Sequence, residues 1–318
     1  MSIADKHIVF GGAGGRGVST PWGTMGEIAG RALEPYGYDV FIERESWGVN
    51  NPRWVGDGKV DFGATQLRAI RQAYDGTGPY AADGPRDHLR VLACINHPGW
   101  FAIAVRAETN IVDLAQVREQ RLPVRVLNRA SPSAINLILD HYGLSREMIE
   151  SWGGRFLVDE EAVAGVSAQA PLWVRTGEFD LIAGYVYASY TLEVRVWHDA
   201  TILHNMRFLR MPDPLIEAVA AEIGGRPGTL PHHLMRGIDV DIPAPRRGLQ
   251  AYYGRSDMPD DFVRLLVRAF DEDRDLFRSV HLPFSYDPNN VADTDGLPLH
   301  PAAEAYYREK GYVSRRRQ

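Results

Sequence analysis

His7-Ile8-Val9-Phe10 runs without a break into Gly11-Gly12-Ala13-Gly14-Gly15-Arg16-Gly17-Val18-Ser19-Thr20-Pro21. Four residues of strand propensity followed by five glycines in seven positions predict a β-strand whose end lets the backbone approach a ligand closely. Pro21 suits the first turn of a helix with Thr20 as N-cap, and Met25, Ile28, Ala29 and Leu33 follow at helical spacing. A loop of that kind aims amide donors and the helix dipole at an anion. The Lys-Ser/Thr ending of a P-loop is missing. Gly12, Gly14 and Gly17 fit G-x-G-x-x-G, but the next strand ends in Glu43-Arg44-Glu45, a poor context for a dinucleotide. Gly14, Gly15, Arg16, Gly17, Ser19 and Thr20 are therefore read as candidate ligand contacts.

Outward from this loop, strands are expected over 38–44 and 61–65 with a short helix over 50–58 between them. That order, strand-helix-strand repeated, is the pattern of an α/β sheet with parallel strands. Strands over 89–96 and 100–106 follow. A second series then begins: strand 124–127, helix 133–142, strand 155–158, helix 160–175 and strand 179–183. Beyond Leu203, the sequence predicts a helix over 213–223, an irregular Gly/Pro/His segment over 224–245, a strand over 248–253, and helices over 259–277 and 301–310. No low-complexity linker separates the halves, so two lobes joined by crossing strands are expected.

The chain has 318 residues, enough for two such lobes. Apolar residues make up 45% and charged residues 24%, which argues against wholesale disorder. A net charge of −6 excludes the basic face of a nucleic-acid binder, since only Arg315-Arg316-Arg317 cluster positive charge. Cys94 stands alone, so neither an internal disulfide nor a cysteine-rich zinc site can form. Residues 1–6 lack the apolar core of a secretory leader, and no apolar run approaches the ~20 residues of a membrane span. No membrane insertion is expected. The expected compartment is cytoplasmic as written, or periplasmic where a leader has been removed.

The histidines are scattered, with no helical His-Glu pair of a metalloprotease, and no nucleophile elbow is present. Neither a metal nor a cofactor is expected. Ser46, Trp47, Asn50, Gln66, Tyr74, Trp100, Tyr185 and Tyr187 are more pointed, because several follow strand ends, where open α/β sheets place their ligand crevices.

The chain resembles the TAXI solute-binding proteins of tripartite (TRAP) transporters. That family opens with a strand and a loop of the form G-T-G-G-T-G-G-V-Y-Y-P, similar to Gly11–Pro21 here. The resemblance continues through Trp47–Asn50, Val60–Gln66 and Ala73–Tyr80, and closes on Pro298-Leu299-His300-Pro301-Ala302-Ala303-Glu304-Ala305-Tyr306-Tyr307. It implies a type II, two-lobed periplasmic-binding-protein-like α/β fold with a ligand cleft between the lobes. Lobe 1 is expected over 1–97 and 205–318, and lobe 2 over 98–204. It further implies capture of a small organic acid and partnership with TRAP membrane subunits.

This sequence departs from the family pattern at two arginines. Arg16 replaces a loop glycine, and Asn128-Arg129-Ala130-Ser131 replaces a glycine-rich turn. Added guanidiniums favour a carboxylate, which arginine can grip in bidentate fashion. Arg16, Arg129 and Ser131 join the candidate set, with Trp47, Tyr74, Tyr185 and His97 around the guest. Two readings stand on the sequence. The favoured one is a receptor for a small carboxylate. The alternative is a cytoplasmic enzyme on the same scaffold, decarboxylase- or isomerase-like, acting on a small carboxylic acid such as an aromatic one, with His97, Asp61 or Tyr185 as acid or base.

Overall fold

The computed structural model describes residues 3–12, 21–46, 48–129, 131–157, 172–188, 192–280 and 284–313. In chain order it opens with β1 (His7–Gly11), α1 (Pro21–Leu33), β2 (Asp39–Glu43), α2 (Asn50–Gly56), β3 (Phe62–Gln66), α3 (Leu67–Asp75) and β4 (Leu89–Ile95). Next come β5 (Gly99–Arg106), α4 (Ala115–Glu119), β6 (Arg125–Arg129), α5 (Pro132–His141), α6 (Arg146–Ser151) and β7 (Arg155–Leu157). The chain continues through α7 (Leu172–Thr176), β8 (Leu181–Tyr187), α8 (Leu192–Leu203), β9 (Met206–Phe208), α9 (Asp213–Glu222), β10 (Arg226–Leu230) and β11 (Ile242–Arg246). It closes with β12 (Gln250–Arg255), α10 (Asp260–Glu272) and α11 (Pro301–Glu309).

These elements form two α/β units, the class the sequence implies. Unit 1 comprises Met1–His97 and Leu249–Gln318, and unit 2 comprises Pro98–Gly248. In unit 1 the strand order is β2-β1-β3-β12-β4. The first three strands are parallel, while β12 runs antiparallel to both β3 and β4. One face of this sheet packs Ile8, Phe10, Phe62 and Tyr252 against the apolar stripes of α1, α10 and α11. The other packs Val91, Cys94 and Tyr253 against α2 and α3.

Unit 2 has the strand order β10-β11-β5-β8-β6-β7, with β9 also paired to β5. β5 is buried along nearly its whole length and reads Gly-Trp-Phe-Ala-Ile-Ala-Val-Arg. That unbroken apolar run suits a central strand covered on both faces. Its odd-numbered side chains, Phe101, Ile103 and Val105, meet α4, α5, α6 and α9. Its even-numbered ones, Trp100, Ala102 and Ala104, meet Trp197 of α8 and Leu230 and Ala244 of the β10–β11 pair.

Three expectations need correction. Residues 205–248, expected in lobe 1, belong to unit 2, because β9 and β11 bond to β5 and their apolar side chains complete unit 2's core. The stretch read as irregular over 224–245 contains β10 and β11, whose prolines are accommodated at the edge of the sheet. The expected helix over 259–277 ends at Glu272 and passes into a short 3-10 turn, Arg274–Phe277. Most of the expected helix over 160–175 lies outside the described residues.

Candidate functional site

In unit 1 the parallel strands β1 and β3 end at Gly11 and Gln66, the edge at which the glycine-rich loop begins. Gly14, Gly15, Arg16, Gly17, Ser19, Thr20 and Trp47 lie outside the described residues. Ser46 is buried and turned inward: its hydroxyl donates to the Glu43 carbonyl at 3.0 Å, and its own carbonyl accepts from Asn51 Nδ2 at 2.9 Å. The Asn51 side-chain oxygen in turn accepts from the Tyr253 hydroxyl. Burial raises the Tyr253 pKa well above the usual phenol value, which keeps that hydroxyl a donor. Ser46 and Asn51 therefore brace the turn after β2, and Asn50 stands exposed beside them on α2.

Gln66 is half-buried at the last position of β3 and serves as N-cap residue of α3. Tyr74 does not join it. Eight residues along α3, at about 1.5 Å each, carry Tyr74 roughly 12 Å away, where it packs against the apolar cluster that contains Val55 and Ile70. Asp61 is also at the wrong end for chemistry with Gln66. It precedes β3 and accepts the Val9 amide at 2.7 Å, a structural duty. His97 is buried against Phe284, with ring centroids 4.7 Å apart. Cys94 is buried within β4 and burial drives its thiol pKa far up, so it is an inert core residue.

Unit 2 assembles more of the expected set. Arg129 is the last residue of β6 and lies opposite Gly184 of β8 in the parallel ladder. Ser131 caps α5, its hydroxyl accepting from the Ala134 amide at 3.3 Å. Tyr185 and Tyr187 alternate to one face at the carboxyl end of β8, their rings stacked with centroids 6.2 Å apart. Phe101 supports Tyr185 edge-on at 5.8 Å.

The sequence reading missed the residue that completes this edge. Arg247 continues β11 by donating its amide to the Gly99 carbonyl at 2.8 Å. Its guanidinium lies 5.4 Å from the ring centroids of both Tyr185 and Tyr187 and donates to the Tyr187 hydroxyl. Gly99 has no side chain because a Cβ there would press on the Tyr187 ring at 2.7 Å. The legible signal was the Arg246-Arg247-Gly248 run, hidden inside a segment that reads as irregular.

The carboxyl edge of the unit 2 sheet thus presents, on one face, two stacked tyrosines with an arginine held across them beside the capped N-terminus of α5, while Arg129 shares the other face with Gly184. Such a surface recognises a negatively charged group through guanidinium and amide donors, with aromatic walls beside it. Among the described residues no three His, Cys, Asp or Glu side chains group as a metal site, and no helix is long and apolar enough to cross a membrane.

Residues 15–164 and 204–311 match the model of the NMT1-like family. Among solved structures, the chain is 14% identical to a TctC solute binding protein from Polaromonas, covering 96% of this chain and 98% of that one at a TM-score of 0.48. It is 15% identical to the periplasmic aliphatic sulphonate binding protein SsuA from Escherichia coli, over 95% and 82% of the two chains, at 0.44. A polar amino acid ABC uptake transporter substrate binding protein from Streptococcus thermophilus is 10% identical over 98% and 94%, at 0.43.

Proposed function

The chain belongs to the NMT1-like family, and on that premise we propose that it is a receptor that captures a small organic acid as its carboxylate. The observation that carries this reading is Arg247 held over Tyr185 and Tyr187 at the carboxyl edge of β8. The bond to the Tyr187 hydroxyl fixes one end of the guanidinium before any ligand arrives, which lowers the ordering cost of binding. The tyrosine faces exclude water on one side and strengthen the attraction for a carboxylate. The α5 amides add positive potential on the same face.

The TAXI-like motifs support a finer role, delivery of the acid to TRAP membrane subunits. Titration calorimetry with mono- and dicarboxylates, matched amides and amines tests the ligand class. A carboxylate is expected to bind, and Arg247→Gln is expected to weaken it by about 100-fold, the range for removing one partner of a desolvated charged contact. Tight binding confined to neutral or cationic solutes overturns the reading. Reconstituted TRAP subunits that fail to take up the bound acid would remove the finer role alone.

A further inference from the structure

Adjacent residues of a strand point to opposite faces of its sheet. Arg246 and Arg247 therefore part company at the end of β11. Arg247 joins the Tyr185–Tyr187 face, and Arg246 turns to the other, where Trp100 of β5 is its register partner. Arg226 of β10 is the register partner of Arg246 on its other side, so Arg226, Arg246 and Trp100 form one row across three strands. Opposed side chains in antiparallel strands lie on the same face with Cβ atoms about 5 Å apart.

We propose that this row is a second anion site on unit 2, taking a small tetrahedral oxyanion, a phosphate or a sulfate.

Three features converge there. Two arginines are direct register partners on one face, an arrangement that repels in a sheet unless a counter-charge offsets it. Among the described residues, no carboxylate lies within ion-pair distance of either; the other surface arginines of this chain commonly have one, as Arg125 has Asp180 at 2.7 Å. The half-buried Arg246 shows the strain in its acidity: burial lowers its pKa, and the charge of Arg226 lowers it further. Trp100 supplies the third feature. It is 93% buried (7% exposed), and among the described residues its indole N–H has no hydrogen-bond partner. A buried donor left unmade costs free energy, so the fold has reason to keep that N–H only where an acceptor arrives.

The backbone makes room for this set. The Arg246 side chain lies across Gly228, where a Cβ would meet its Cβ at 2.8 Å and its Cδ at 3.4 Å. Gly228 thus lets the arginine lie flat on β10. The donor count selects the guest. A carboxylate has two oxygens and one charge, satisfied by a single bidentate guanidinium. Two guanidiniums and an indole N–H match a group with three or four oxygens and up to two charges.

The site is separate from the carboxylate edge, on the opposite face of the sheet, and stands or falls without it. The test uses the full chain labelled with nitrogen-15, reading the indole N–H resonances of its seven tryptophans. Trp100→Phe identifies the resonance that belongs to this site. Inorganic phosphate at low ionic strength is expected to move that resonance saturably, with a midpoint at or below about 10 mM. Sulfate is expected to do the same and acetate to leave it still. An alkyl phosphate that competes equally would show that the anion can come as an ester; one that fails would assign the site to the free ion, and both outcomes keep the tetrahedral class. Arg246→Gln is expected to raise the midpoint about tenfold or more, and the exposed Arg226→Gln, the safer variant for folding, several-fold. Arg247→Gln is expected to leave the phosphate titration unchanged, which separates this proposal from the carboxylate reading. A Trp100 resonance unmoved by phosphate and sulfate overturns the proposal, as does a midpoint unaffected by both Arg246→Gln and Arg226→Gln.

Discussion

Gly184 decides whether Arg129 can occupy the end of β6. A Cβ at Gly184 would sit 2.5 Å from the Arg129 Cβ and 2.6 Å from its carbonyl oxygen. Neither a backbone oxygen nor a Cβ can yield without moving the strand. Gly184→Ala is expected to destabilise the fold by about 1–3 kcal/mol, through overpacking. Urea unfolding reads this effect as a lowered midpoint. At this scale the sequence showed the site in part. Tyr185 stands out in the sequence because it follows a strand end, where α/β folds keep their functional groups, and Arg129 because it departs from the resembled family's glycine-rich turn. Ser46 braces a turn, and polarity alone does not separate a residue that faces a ligand from one that does so. Asn51, one position on from Asn50, is the side chain bonded to Tyr253.

The C-terminal Pro-Leu-His-Pro-x-x-x-x-Tyr-Tyr pattern finds its explanation in the docking of α11 on α10. Asp271 of α10 is buried and accepts from the Tyr306 hydroxyl at 2.8 Å, the Tyr312 hydroxyl at 3.0 Å and Arg274 Nε at 3.1 Å. Asp271→Ala strands two hydroxyls and a guanidinium, and is expected to cost on the order of 3 kcal/mol, the range for breaking a buried charged network. A melting curve checks this, and Tyr312→Phe, which removes one donor, is expected to cost about 1 kcal/mol. His300 begins the same helix. It is buried, and its Nδ1 accepts from the Ala302 amide at 3.3 Å, a cap that requires the neutral ring. Burial lowers its pKa below the usual 6.5, against the opposing pull of Asp260. The unfolded chain then binds the proton more readily than the native one, so stability present above pH 6.5 is lost as pH falls below it. Wild-type protein is expected to lose melting temperature between pH 7.5 and pH 5.5, and His300→Asn, a neutral capping residue, to flatten that loss. Equal slopes in both proteins would show that the acid sensitivity arises elsewhere. The motif was legible as a family mark; its physical role depends on Asp271, thirty residues upstream, which no local pattern connects to it.

Across the molecule, the alternation of strands and helices was plain from hydrophobic spacing, and the expected division after residue 97, taken with the family resemblance, coincides with the first crossing between units at His97–Pro98. The second crossing was not legible. Residues 226–246 carry Pro227, Pro243 and Pro245, which suppress strand signals, and their membership of unit 2 rests on pairing with β5 more than a hundred residues earlier. That long-range pairing makes unit 2 one continuous stretch and leaves unit 1 in two pieces. Unit 2 has two apolar cores of its own, on either face of β5, drawn wholly from residues 98–248. Unit 1 also has two cores, but each draws on both of its stretches: β12 is inserted between β3 and β4, and α10 and α11 cover the face built on Ile8 and Phe10. A fragment of residues 98–248 is therefore expected to fold alone, with dispersed amide resonances and a cooperative melt, since its burial and its strand register are both internal. Residues 1–97 alone are expected to stay unfolded, because β3 and β4 have no strand between them and their apolar face has no cover. Adding residues 249–318 as a separate peptide is expected to restore structure to that fragment. A folded 1–97, or an unfolded 98–248, would mean that the division of cores between the two stretches has been misread.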